Sequence, residues 1–125
     1  KDLAVEYWNE VAASMPDWQL ALNKEISTKE LRENYVHAHA VLLQALGHLG
    51  ADLLAKPEST WKRALKRLRD IDWARSNKDW EGRAMVHGRI SKARTNVALT
   101  GNYIKNALGI PLNAAEEAIE KDYQK

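Results

Sequence analysis

The sequence predicts an all-α fold, a compact bundle of five or six helices that forms a single helical domain over residues 1–125. Strand signals are nearly missing, because no stretch alternates apolar and polar residues over six or more positions and no Asn-Gly or Asp-Gly turn is present. Apolar residues recur instead at spacings of three and four, the helical pattern. The 125 residues are 45% apolar and 29% charged, so the chain has globular composition and the length to bury a core.

The first two predicted helices fill the first half of the chain. An apolar stripe over residues 3–14 predicts the first helix, and Pro16 ends it because proline disfavours helix at the residue before it. Residues 27–30 begin with Ser and end with Glu, the spacing of a capping box, in which both side chains satisfy free backbone N–H groups. The apolar stripe behind this box continues to residue 53 and predicts one helix of about six turns, with a break near Gly50 left open.

The middle of the chain gives one clear helix and one unclear region. A third helix is predicted to begin near Ser59 or Thr60, because either hydroxyl can cap a helix, and to run to about residue 70. Residues 71–94 carry no clean period, so we expect a loop followed by a helix of uncertain start.

Two helices are predicted at the end of the chain. The apolar period of the first is carried by Val97, Gly101, Ile104 and Leu108. Gly109 and then Pro111 stop this helix, because glycine is the usual residue just past a helix end and proline cannot continue one. Asn113 with Glu116 three residues later predicts the start of a short last helix over about residues 114–123.

Charge is unevenly distributed along the chain. The net charge of +2 is the balance of −4 over residues 1–58, +8 over residues 59–105 and −2 over residues 106–125. A locally positive surface attracts polyanions even when the whole molecule is near neutral. The alternative is a solvated face that folds back on the acidic helices and contributes little.

The third predicted helix carries the strongest candidate site. Trp61, Leu65 and Leu68 share one face, cations occupy the rest, and no acidic residue lies between Thr60 and Arg69. The cations that we predict to contact nucleic-acid phosphates are Lys62, Arg63, Lys66, Arg67, Arg69, Arg75 and Arg83. Binding through phosphates would depend strongly on salt. No base-reading motif accompanies these cations, and a solvated helix face has the same composition.

The remaining chemistry-bearing residues predict no catalytic, metal or cofactor site. His37 and His39 stand two apart, which on a helix places them on different faces, so they cannot chelate one metal ion. Cysteine is absent, and neither a serine elbow nor a phosphate-binding loop is present, so we expect no enzyme. The five tryptophans are interpreted as core residues rather than base-stacking ones, because phenylalanine is absent. The lack of cysteine fits a reducing compartment, and no apolar run approaches a membrane span.

Several segments resemble one known family. They are IDWARSN at 71–77, WEGRAM at 80–85, NYIK at 102–105, LGIPL at 108–112 and the helical stretch from Leu31 to Gly47. These segments look like the C-terminal part of the DndB proteins, accessory proteins of DNA sulfur modification in the DGQHR-domain group. The naming motif of that group, Asp-Gly-Gln-His-Arg, does not occur in this sequence, so we expect the chain to be a C-terminal part of a longer protein.

The resemblance implies a bacterial, cytoplasmic protein associated with DNA phosphorothioation that acts in transcriptional control through promoter DNA. It assigns no functional residue to this chain. Together with the basic helix it favours an accessory module that binds double-stranded DNA and no membrane. The alternative is a protein-interaction module that packs on its own upstream domain or on another subunit, with the cations facing acidic protein.

Overall fold

The computed structural model describes residues 2–124, which form a mostly helical domain with one small hairpin. The helices are α1 (Leu3–Ala13), α2 (Pro16–Leu22), α3 (Thr28–Asn34), α4 (Ala40–Leu53), α5 (Glu58–Lys66), α6 (Arg94–Leu108) and α7 (Ala114–Gln124). The antiparallel strands are β1 (Met85–Val86) and β2 (Arg89–Ile90). The predicted helical class is confirmed, but this part of the chain holds seven α-helices rather than five or six. Lys1 and Lys125, which enter the predicted domain and its charge counts, lie outside the described residues.

One additional helix comes from Pro16. The first helix ends before this proline as predicted, at Ala13, but Pro16 also begins α2. Proline fits the first turn of a helix, because its missing N–H would have no intrahelical partner there and its φ angle already suits a helix. The prediction treated Pro16 only as a stop signal and therefore missed α2.

The second correction concerns the long helix predicted after Ser27. The capping box is confirmed, with the Ser27 hydroxyl accepting a 3.1 Å hydrogen bond from the Glu30 backbone N–H. Helix α3 nevertheless ends at Asn34, and residues 35–39 are not helical. The backbone of this segment pairs with a distant loop, since Val36 N–H donates to the carbonyl of Trp73 at 2.8 Å. The helix therefore breaks here and not near Gly50, through which α4 runs unbroken.

The segment between α3 and α4 also contains His37 and His39. His37 and His39 were predicted to lie on different faces of one helix, and that argument was wrong because neither residue is inside a helix. His39 is the residue just before α4, and His37 is fully buried beside it.

The middle of the chain differs from the prediction at the start of α5 and in the region after residue 70. Neither Ser59 nor Thr60 caps α5, because Pro57 precedes the helix and Glu58 begins it. The helix continues as a 3₁₀ turn over Arg67–Asp70, so the helical segment ends where predicted. The predicted loop contains a second 3₁₀ turn, Lys78–Trp80, and the hairpin.

The hairpin was not predicted because its turn has an uncommon sequence. His87 and Gly88 both have positive φ angles, 53° and 76°, the combination of a type I′ hairpin turn. His-Gly is not among the dipeptides most often associated with that turn, so the search for Asn-Gly or Asp-Gly did not detect it.

The last two helices agree with the prediction. Helix α6 ends at Leu108 and is followed by Gly109 in the left-handed conformation, with φ of 75°. Asn113 and Glu116 cap α7 reciprocally, each side chain accepting a 2.9 Å hydrogen bond from the other residue's backbone N–H.

The core lies where α4 packs along α6, with α1 against α5 and α7 against α6 at its edges. Trp61, Trp73 and Trp80 are buried, and the rings of Trp73 and Trp80 stack at 5.5 Å. The core interpretation of these three tryptophans is confirmed, whereas Trp18 is partly buried and Trp8 lies at the surface. None of the helices formed by residues 2–124 combines the length and apolar character that crossing a bilayer requires.

Candidate nucleic-acid interface

Helix α5 is held in the molecule by one apolar face, which leaves its cations outside. Trp61 and Leu65 are buried in the core, and Leu68 continues the stripe into the following 3₁₀ turn. The side chains of Arg63, Lys66, Arg67 and Arg69 are exposed on the remaining surface. We call these four residues the α5 basic face.

Charge compensation on this face is small. Within the described residues, no carboxylate lies within ion-pair distance of Arg63, Lys66, Arg67 or Arg69. The helix therefore offers four cationic side chains to solvent or to an anionic partner.

Lys62 differs from its neighbours because it turns toward α1. Its ammonium group binds the Glu58 carboxylate at 2.5 Å and lies 5.6 Å from the centre of the Trp61 ring. This hydrogen bond, together with the negative charges of Glu58, Glu6 and Glu10, raises the pKa of Lys62 above its ordinary value. Lys62 was predicted as a phosphate contact, and in the structure it pairs at the surface with a carboxylate of its own helix.

Arg63 and Arg67 lie one turn apart and form one side of a small pocket. Lys56, Thr60 and the backbone turn after α6 also line this pocket. The pocket has a volume of about 260 Å³, and none of the described residues that line it is acidic. We call it the α5 pocket.

The guanidinium group of Arg67 is oriented by the end of α6. Its Nη1 donates a 3.3 Å hydrogen bond to the Leu108 carbonyl, one of the last carbonyls of that helix. A cation is favoured there because the carbonyl end of a helix carries partial negative charge. Gly109 leaves the space for this contact, since a Cβ atom at that position would lie 2.9 Å from Arg67 Nη1.

The other two predicted contacts lie apart from α5. Arg75 is half-buried, and its Nη2 donates to the Gly88 carbonyl at 3.1 Å, so it supports the hairpin turn. The Glu81 carboxylate holds the same turn from the other side by accepting hydrogen bonds from the backbone N–H groups of His87 and Gly88, at 2.7 and 2.9 Å. These hydrogen bonds lower the pKa of Glu81.

Arg83 is a correction to the prediction, because it is only 7% exposed. Its guanidinium group forms two hydrogen bonds to Glu120, at 2.8 and 2.9 Å, and a third to the Leu99 carbonyl at 2.8 Å. It also lies over the Tyr123 ring, 4.4 Å from the centre. The hydrogen bond from Arg83 lowers the pKa of Glu120. A group enclosed in this way has no donor directed at a phosphate outside the molecule.

Lys105 is a second buried cation, which the sequence analysis counted only as part of the basic segment. Its ammonium group binds Asp52 at 2.6 Å and Glu116 at 2.8 Å, and the residue is 5% exposed. Arg83 and Lys105 together attach α7 to α6, although α7 contributes no fully buried residue.

A second exposed basic group lies between β2 and the start of α6. Arg89, Lys92 and Arg94 are exposed near the start of α6, and no side chain caps the N-terminus of that helix. The α5 pocket adjoins the other end of α6, so the two basic regions are separated by the length of a 15-residue helix, about 22 Å.

His37 is a buried histidine with a strongly shifted pKa. Burial lowers its pKa to about 4, although a 3.1 Å hydrogen bond from Nε2 to Asp17 acts in the opposite direction. Its ring stacks on Trp73 at 5.2 Å, and Nδ1 has no hydrogen-bond partner. His37 is thus a neutral core residue at pH 7. Among residues 2–124, no group of three or more His, Asp or Glu side chains is arranged to hold a metal ion.

Comparison with known proteins gives one match. A family model described as DndB, DNA-sulfur modification-associated, matches residues 1–111. The matched segment includes α1 to α6 and the whole α5 pocket, whereas α7 follows it. No curated protein and no solved structure matches the chain significantly.

Proposed function

The chain belongs to the DndB family of proteins associated with DNA sulfur modification, and from this membership and the α5 basic face we propose that it is a DNA-binding accessory module of such a system. It contacts the phosphates of double-stranded DNA through Arg63, Lys66, Arg67 and Arg69. Lys62 and Arg83 are outside this set because carboxylates of the same molecule already pair with them.

The observation that carries the proposal is the uncompensated charge of α5. Four cations share one exposed surface, and no described carboxylate pairs with any of them. Each phosphate that such a cation neutralises releases condensed counterions from DNA, which drives binding without any base contact. Phosphate contacts position a protein on the duplex, so sequence preference requires further contacts.

The proposed role is regulatory rather than catalytic. The described residues offer cations and hydrogen-bond donors on the surface, and the one perturbed histidine is enclosed in the core. We place the module in the bacterial cytoplasm, bound to promoter DNA, where occupancy of the duplex is sufficient to change transcription.

Duplex binding at several salt concentrations tests the proposal. If four cations each neutralise one phosphate, the logarithm of the binding constant falls with the logarithm of salt concentration with a slope between about −3 and −4. Fluorescence anisotropy with a labelled duplex measures this slope. The triple variant Arg63→Ala, Lys66→Ala, Arg69→Ala keeps the Arg67 contact to α6 and should reduce the slope to about −1.

A matched variant controls for net charge. Lys29, Arg32 and Lys121 are exposed cations on α3 and α7, so replacing all three by Ala removes the same charge from other surfaces. This variant should bind duplex nearly as well as the parent. Equal binding by the parent and the α5 triple variant at low salt would contradict the assignment of α5.

A second candidate function, a protein-interaction module, is favoured by exposed apolar side chains. They are Leu3, Val5, Trp8, Leu20, Leu22, Leu43 and Val86. Trp18, Leu22 and Leu43 line an apolar groove of about 490 Å³ between α2, α3 and the start of α4. An apolar patch of this kind is typical of protein contacts. The partner would be an upstream domain of the same protein or another subunit.

Two measurements separate the candidates. The module is expected to bind duplex at about 50 mM salt, where phosphate contacts are strong. Absence of duplex binding at this salt, together with binding to the separately produced upstream domain that Leu22→Asp and Leu43→Asp abolish, would favour the interaction module instead.

A further inference from the structure

The α5 pocket has two chemically different walls. On one wall, Thr60, Arg63 and Arg67 follow each other at spacings of three and four, so they share a face of α5, and Lys56 extends that wall. The other wall is apolar: Ile110 and Pro111 are accessible there, whereas Leu53 and Leu108 are buried. The pocket therefore has a cationic and an apolar part, which adjoin where Arg67 Nη1 donates to the Leu108 carbonyl.

The cationic wall favours an anionic ligand. Three positive side chains line a volume of about 260 Å³, and the described lining residues include no carboxylate to balance them. Arg67 is held in place by its contact with the Leu108 carbonyl, so part of its ordering cost is met before any ligand binds. The hydroxyl group of Thr60 adds one donor on the same wall.

The apolar wall restricts which anion fits. A phosphodiester has two non-bridging oxygens, and both lose water when they enter the pocket, but an aliphatic wall cannot hydrogen-bond the second one. A phosphorothioate diester carries one oxygen and one sulfur. Sulfur is larger, more polarisable and a weak hydrogen-bond acceptor, so it loses little in contact with aliphatic groups.

We propose that the α5 pocket binds a phosphorothioate diester of sulfur-modified DNA, with its oxygen at the cationic wall and its sulfur against Ile110 and Pro111. The pocket opens on the α5 basic face, so the same cations that hold ordinary backbone phosphates deliver the modified one. This inference rests on the proposed DNA binding and adds to it a preference for the modified duplex.

The test compares two duplexes of identical sequence in anisotropy titrations with the full chain. One carries a single phosphorothioate linkage, prepared separately in each configuration at phosphorus, and the other carries phosphate throughout. One configuration should bind about fourfold more tightly than the unmodified duplex, the factor expected from burying one methylene-sized group. The other configuration should bind like the unmodified duplex, because its sulfur faces the cations.

Ile110→Thr tests where the sulfur lies. Threonine keeps the β-branched shape and places a hydroxyl group in the apolar wall, so the ratio of affinities for the modified and unmodified duplexes should fall to about one. Ile110 is half-buried, and circular dichroism through a thermal unfolding curve establishes that the variant is folded. Val5→Thr, an equivalent change at an exposed position of α1, should retain the full preference.

Each outcome decides between the two levels of the proposal. Equal affinity for all duplexes with a steep salt dependence would overturn the phosphorothioate pocket and leave DNA binding through α5 standing. A preference that survives Ile110→Thr would overturn the placement of sulfur at this wall. Failure to bind either duplex at low salt would contradict the DNA-binding proposal itself.

Discussion

Helices α5 and α7 both lie at the edge of the molecule, yet they are attached in opposite ways. Helix α5 is anchored by buried Trp61 and Leu65, and its cations face outward. Helix α7 has no fully buried residue, and carboxylates on it bind the buried cations Arg83 and Lys105. Cations are available to a partner only where apolar contacts already hold the helix. Where apolar contacts are few, the cations become part of the attachment.

The comparison is tested most strongly by removing Arg83. Arg83→Met keeps much of the side-chain volume but removes the cation that pairs with Glu120, whose side chain is 13% exposed, and the donor to the Leu99 carbonyl. Glu120 keeps only the neutral donors of Gln124 and Asn102 among the described residues. Breaking a buried pair in this way should cost about 3–5 kcal/mol of unfolding free energy, measured by urea denaturation. Arg89→Met removes an exposed arginine from the hairpin and should change stability by less than about 0.5 kcal/mol. A small loss for Arg83→Met would mean that α7 is held by other contacts.

Acid should weaken the core before it detaches α7. Burial lowers the pKa of His37 from 6.5 to about 4, so the folded state binds this proton less readily than the unfolded chain. Neutral His37 therefore contributes to the unfolding free energy fully above pH 6.5, and this contribution is lost as pH falls toward 4. The total loss is roughly 3 kcal/mol, at 1.36 kcal/mol per pH unit. Urea denaturation from pH 7 to 4 measures this loss, and His37→Phe should flatten the curve over that range. An unchanged slope in the variant would assign the acid sensitivity to other groups.

A lower pH range belongs to the α7 contacts. Arg83 lowers the pKa of Glu120, so the stability from this pair is present above the ordinary glutamate pKa and is lost as pH falls through the lowered value. We therefore expect the protection factors of the α7 amides against hydrogen exchange to fall only below about pH 4.5, after the His37 transition has begun. Loss of protection of the α7 amides already at pH 6 would contradict this order.

Removing Lys105 should have a smaller effect than removing Arg83. Lys105→Met breaks the contacts to Asp52 and Glu116, but Asp52 is 53% exposed on its side chain and regains water. Glu116 also keeps its hydrogen bond from the backbone of Asn113 at the start of α7. The expected loss is about 2 kcal/mol in urea denaturation, within the range for hydrogen bonds to charged groups. Asp52→Asn should cost less than about 1 kcal/mol, because it changes only the exposed side of the contact.

The features that were predicted correctly depend on neighbouring residues, whereas the break after α3 and the burial of Arg83 depend on distant ones. The capping pairs Ser27 with Glu30 and Asn113 with Glu116 are local, and both were predicted. The break after α3 was missed because it results from pairing with the loop around Trp73, far along the chain. Arg83 was predicted to be exposed because nothing near it in sequence reveals that Glu120 lies beside it. The basic stripe could be predicted because one short segment, α5 and the 3₁₀ turn that follows it, contains all of its residues.

The smallest expected effect is on the stability of the α5 triple variant. It distinguishes most clearly between the ways in which α5 and α7 are attached. Arg63→Ala, Lys66→Ala and Arg69→Ala remove side chains without described ion-pair partners and add good helix formers, so the unfolding free energy should change by less than about 0.5 kcal/mol. The same protein should lose most of its affinity for duplex at low salt. A loss of 2 kcal/mol or more in urea denaturation would mean that these cations support the fold, as Arg83 does. In that case α5 and α7 would be attached by the same kind of contact, and the weaker DNA binding of the variant would no longer locate the interface.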